Sequence, residues 1–131
     1  MSNFRPFRLA FAILATAVLA LAAGPAFAHA KLLSESPAAE DATAPQPAPS
    51  PPTDLRLSFS EGLNLAFCKL IVTDSSGKAI VLGALALDAN DDKVLVGPLV
   101  DPLTPGEYKV DWTVVSNDGH KSTGSYTFKA E

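Results

Sequence analysis

The chain is short of sulfur. It has one cysteine, Cys68, and one methionine, Met1, among 131 residues. A single cysteine excludes any intramolecular disulfide, so apolar packing must hold the fold unaided. Cys68 falls in a strand-like run, residues 66–73, where a small buried thiol is the expected role. Long hydrophobic runs are missing too. The apolar stretch 9–23, broken only by Thr16, is 15 residues long, below the roughly 20 needed to span a bilayer. Positive charge is also scarce, at 10 Lys and Arg against 14 Asp and Glu, a formal −4. Nothing resembles the basic stripe that a nucleic-acid partner requires. The acidity is weakly favourable to cation binding and equally well explained by solubility.

What is present begins with a leader. Arg5 and Arg8 form a basic n-region without acidic residues, the apolar stretch follows, and Ala26-Phe27-Ala28 closes it with an A-x-A cleavage signal. Residues 1–28 therefore read as a cleaved signal peptide, and residues 29–131 as an exported, soluble domain. Removing Arg5 and Arg8 leaves 8 basic against 14 acidic side chains, a formal −6, on 103 residues. A chain of that size is one domain, able to bury roughly two-thirds of its unfolded surface. Ala28-His29-Ala30 offers a second cleavage register that would discard His29.

Beyond a short strand ending near Glu35, residues 37–52 carry six prolines (Pro37, Pro45, Pro47, Pro49, Pro51 and Pro52). Fixed φ and missing amide donors bar a helix or a sheet centre, so this is an extended connector within the domain. From Asp54 onward the pattern is all strand. Leu55, Leu57 and Phe59 alternate with Arg56, Ser58 and Ser60. Residues 67–73 are β-rich, and Asp74-Ser75-Ser76-Gly77 turns the chain into residues 78–82. Val94, Val96 and Leu99 form a run broken by Gly97-Pro98. After the turn Leu103-Thr104-Pro105-Gly106, one face of a long strand carries Tyr108, Val110, Trp112 and Val114, while Lys109, Asp111 and Thr113 face water. Asn117-Asp118-Gly119 ends it, and residues 121–129 form the last strand. About seven short strands and no convincing helix predict an all-β, antiparallel, immunoglobulin-like sandwich.

Cleavage after Ala28 would make His29 the first residue, so that its free α-amine and its imidazole Nδ1 close a chelate ring on one ion. The other histidine, His120, lies in Asp118-Gly119-His120. Nitrogen and carboxylate donors of this kind suit Cu(II). Asp118 lies two residues from His120, and along an extended chain the two point to the same side; Gly119 between them carries no side chain and permits unusual φ, letting both turn toward one ion. Asp-Gly is also a turn signal, and His120 can equally stand exposed beyond a hairpin bend. The acidic run Asp88-Ala89-Asn90-Asp91-Asp92 matches the first ligand positions of an EF-hand. Lys93 and Leu99 stand where glycine and a bidentate glutamate are needed, so it reads as a solvated turn.

These residues resemble the CopC family of periplasmic copper-resistance proteins over essentially the whole mature length. The resemblance is carried by His29-Ala30, Ser36-Pro37, Leu57-Ser58-Phe59-Ser60-Glu61, Val72-Thr73-Asp74 with Gly77-Lys78, and Leu103-Thr104-Pro105-Gly106-Glu107-Tyr108. The most specific stretch is Trp112-Thr113-Val114-Val115-Ser116-Asn117-Asp118-Gly119-His120, followed by Gly124 and Phe128. The resemblance implies a Greek-key β-barrel or sandwich in the periplasm. It further implies one Cu(II) held by His29, through amine and imidazole, with Asp118 and His120, and a CopD-like inner-membrane copper transporter as delivery partner. Some relatives add a methionine-rich Cu(I) loop. The only methionine here leaves with the leader, so a Cu(II)-only member is expected, with Cys68 the sole soft donor in reserve. The implied function is copper sequestration, resistance or delivery, without catalysis. Two other classes stand beside it: a histidine-brace oxidative enzyme akin to lytic polysaccharide monooxygenases, and a metal-free immunoglobulin-like interaction module.

Overall fold

Strict alternation of apolar and polar side chains decides which face of each strand is dry. The computed structural model describes residues 29–40 and 51–131. The expected leader (1–28) and residues 41–50 of the connector lie outside the described residues. The strands are β1 (Leu32–Ser36), β2 (Asp54–Phe59), β3 (Lys69–Asp74), β4 (Ala79–Ile80), β5 (Ala86–Asp88), β6 (Asp91–Pro98), β7 (Gly106–Val115) and β8 (Lys121–Ala130). A single 3-10 turn, Leu65–Phe67, precedes β3. They form two four-stranded antiparallel sheets, ordered β1-β2-β6-β5 and β4-β3-β7-β8. The chain changes sheet after β2, after β4 and after β6, which is a Greek-key sandwich. No helix among the described residues is long and apolar enough to cross a membrane.

The expected period-two faces are present. Leu55, Leu57 and Phe59 of β2 and Val110 and Val114 of β7 are fully buried, with Tyr108 and Trp112 beside them. Phe59 meets Trp112 edge to face across the sandwich, ring centroids 5.1 Å apart at 72°. Such a pair adds about 0.5–1.5 kcal/mol beyond its buried area. At the far end of β7, the Tyr108 hydroxyl donates to the Thr104 carbonyl at 2.7 Å and pins the 103–106 turn. Its ring stacks on Phe128.

Three details differ from the sequence reading. Among the described residues there are eight strands, because Ala86–Asp88 pairs with β6 as a short edge strand. Gly97 and Pro98 do not break β6 but complete it, opposite Leu55 and Asp54. Leu95 and Gly97, not Val94 and Val96, are its buried residues, so Gly97 is part of the dry face. Phe67 belongs to the 3-10 turn and is 64 % exposed, so the next strand begins only at Lys69. The run 88–92 holds the β5–β6 turn at residues 89–90: Asp88 accepts the Asn90 amide at 2.9 Å and ion-pairs with Arg56.

Gly124 sits opposite Trp112 in the β7–β8 register. A Cβ there would lie 2.3 Å from Trp112 Cζ2, inside contact distance of a ring atom that the core holds in place. Gly124→Ala should therefore lower unfolding stability by about 1–3 kcal/mol. Urea denaturation followed by Trp112 fluorescence checks this; an unchanged midpoint would mean that the indole is free to shift.

Candidate metal centre

His29 stands just ahead of β1, and its position is fixed by its neighbours. Ala30 is buried in the core. Lys31 and Ser60 exchange two hydrogen bonds: the Lys31 amide donates to Ser60 Oγ and the Ser60 amide to the Lys31 carbonyl, each at 2.9 Å. The chain is thereby tied to the end of β2, and the exposed His29 ring is left at the rim.

The second group lies in the β7–β8 turn. The Ser116 amide donates to the His120 carbonyl at 2.9 Å, and the Gly119 amide to the Ser116 carbonyl at 2.9 Å. Gly119 adopts φ +90°, a left-handed conformation that favours glycine. Asp118 and His120 thus meet across a tight turn, not along an extended strand. The turn signal and the donor pair are one feature.

Residues 62–64 lash this turn to both sheets. The Asn117 amide donates to the Gly62 carbonyl at 2.9 Å, the Asn64 amide to the Val115 carbonyl at 2.8 Å, and the Leu63 amide to the Asp92 carbonyl at 3.0 Å. Asn117 Nδ2 lies 3.4 Å from Asp92 Oδ2, at the end of the β5–β6 hairpin.

The His29 and His120 rings are in edge contact, centroids 5.5 Å apart at 62°. Asp118 Oδ2 lies 3.1 Å from His120 Nδ1, and both side chains are about half exposed. Asp118 Oδ1 accepts from Ser116 Oγ and, at 3.3 Å, from the His120 amide. These bonds, Ser116's first and His120's next, hold the Asp118 carboxyl down at about pKa 2. The three residues singled out in the sequence are therefore neighbours, with His120 common to both contacts. No group of three or more His, Cys, Asp and Glu side chains among the described residues is already gathered tightly enough to hold an ion. The expected fourth donor is a main-chain nitrogen, which is a peptide amide while Ala28 is attached.

The donors present are two imidazoles and one carboxylate at a solvated rim. That set matches the nitrogen and oxygen preference of Cu(II). Cys68 does not join it. Its half-buried thiol donates to the Asn64 carbonyl at 3.3 Å, packs on the core and has its pKa raised by burial.

Sequence reasoning passed over Ser116, which is 1 % exposed. Its signal was available: Ser116 continues the inward series of Tyr108, Val110, Trp112 and Val114, where a hydroxyl breaks an apolar pattern.

Comparison with known proteins agrees with this architecture. The CopC domain model matches residues 32–131. Protein YobA of Escherichia coli K12 is 38 % identical over 130 residues, covering 99 % of this chain and 98 % of that protein. Copper resistance protein C of Pseudomonas syringae pv. tomato is 38 % identical over 109 residues, covering 79 % and 82 %. The crystal structure of PcoC, a methionine-rich copper resistance protein from Escherichia coli, superposes with a TM-score of 0.66 at 34 % identity, covering 79 % of this chain and all of that one. A domain match over residues 32–131, joined to the same two-sheet fold, places the chain in the CopC family.

Proposed function

We propose that the chain is exported to the periplasm, cleaved after Ala28, and binds one Cu(II) per chain. The ligands in this reading are the amine and imidazole of His29, the carboxylate of Asp118 and the imidazole of His120. The role is to sequester copper or hand it to an inner-membrane transporter of the CopD type. The observation that carries the proposal is the contact between the His29 and His120 rings. These are the only histidines in the chain, and they come from its two ends. Cleavage would convert an amide into an amine beside that pair, and a divalent ion would displace the ammonium proton. Naming among the relatives points to copper. The absence of any methionine after Met1 favours the cupric state, since thioethers select Cu(I).

The two other classes fare less well. An oxidative enzyme acting on polymers would gain from a flat aromatic platform, but Trp112 is buried against Phe59. An interaction module with incidental histidines gives no reason for those two rings to touch.

Cu(II) titrated into protein beginning at His29 should bind at one equivalent, with a d–d band and quenching of Trp112 fluorescence. His29→Ala, or a one-residue extension ahead of His29, should weaken binding more than about 100-fold, beyond the ~10–100-fold typical of an outer partner. Binding that is indifferent to both changes would overturn the ligand set.

The pH dependence follows from Asp118. Its native pKa, about 2, lies below the ordinary value of 3.8. Its contribution to stability is therefore complete above that ordinary value and lost as pH falls through about 2. Between pH 7 and 5 the carboxylate stays ionised, and protons compete for copper only at nitrogen. Asp118→Asn should weaken Cu(II) binding at every pH in that window, because it removes a carboxylate ligand that is ionised throughout. Competition titrations at three pH values test this, and unchanged affinity at all three would refute it.

A further inference from the structure

We infer that Ser116 is a positioning residue for the copper ion: its hydroxyl claims one oxygen of Asp118 for the fold and leaves the other as the single oxygen offered to the metal. The inference rests on the Cu(II) reading above.

Four observations support it. Ser116 occupies the next inward position after Val114, buried to 1 % exposure, where an apolar residue would satisfy packing and an unpaired hydroxyl would be costly. Its oxygen lies against Asp118 Oδ1 and 3.2 Å from the His120 carbonyl. A hydroxyl has one proton to give, and an ionised carboxylate is the stronger acceptor. Oδ1 also receives the His120 amide at 3.3 Å, so two donors from the fold converge on it. Oδ2 lies 3.1 Å from His120 Nδ1, between two side chains that are each about half exposed.

Ser116 is itself immobile. Its amide and carbonyl are both bonded within the turn, and it bridges to Leu63. The Asp118 side chain is 47 % exposed, and the bonds on Oδ1 and Oδ2 orient it. Without the hydroxyl, the carboxylate can swing to offer either oxygen or both. With it, the ion meets a one-oxygen ligand already turned to the His120 side, and less ordering remains for the binding step.

The test uses mature protein beginning at His29, with Cu(II) as probe. Ser116→Ala should bind Cu(II) about 10–100-fold more weakly, with an altered parallel hyperfine splitting in the EPR spectrum. Ser116→Thr keeps the hydroxyl and should return affinity and spectrum to the parent values. In an Asp118→Ala background, Ser116→Ala should cost nothing further, because its effect runs through that carboxylate. Melting temperature and the near-UV signal of Trp112 report folding separately. Unchanged affinity and spectrum in Ser116→Ala would overturn the inference. So would an equal loss in the Asp118→Ala background, or a folded Ser116→Thr protein whose spectrum departs from the parent. If His29→Ala and Asp118→Ala are themselves silent, the copper reading falls and takes this inference with it.

Discussion

Residues 60–64 join parts of the molecule that apolar contact alone would leave free to slide. Burial of Leu55, Leu57, Phe59 and Val110 draws the sheets together, but hydrophobic attraction has no direction and sets no register between layers. Direction comes from the short run after β2. Ser60 holds the segment bearing His29, Leu63 holds the β6 side, and Asn64 and Gly62 hold the end of β7 and its turn. Lys31, two residues from His29, and Asn117, next to Asp118 and three residues from His120, are both bonded to this run. The segments bearing His29 and His120 can therefore meet at one rim.

The core behind that rim is rigid for a different reason. Trp112 fills the space between Phe59 on one side and the bare backbone of Gly124 on the other. Shape, not hydrogen bonding, fixes the indole. At the other end of β7 the order reverses, and the Tyr108 hydroxyl secures a turn by a directed bond. One strand thus carries a packed middle between two polar ends, and the site takes its stiffness from the first and its chemistry from the second.

Much of this was legible in the residues. Period-two alternation located the dry faces of β2 and β7, because a strand wet on one side must write its burial into every second position. Asp-Gly located the β7–β8 turn, and His29 and His120 stood out through scarcity. What could not be read was pairing over long range. The edge strand Ala86–Asp88 exists because β6 offers it a partner, and nothing within three residues announces that. Gly97-Pro98 looked like punctuation; it closes β6 because Pro98 sits at the strand's end, where a missing amide matters little. Asp118 and His120 were expected to align along an extended chain, and they align across a turn instead. Ser116 was visible as a flaw in an apolar series, yet its meaning needed the position of Asp118.

The half-exposure of the Asp118 and His120 side chains has a kinetic consequence. In the proposed copper-bound state, an ion at this rim would arrive and depart by swapping donors one at a time with an incoming molecule, while the sandwich behind it stays shut. Binding and release would then be decoupled from breathing of the β-sheets, so a variant that loosens the interior would alter the protein's lifetime without hastening loss of the metal.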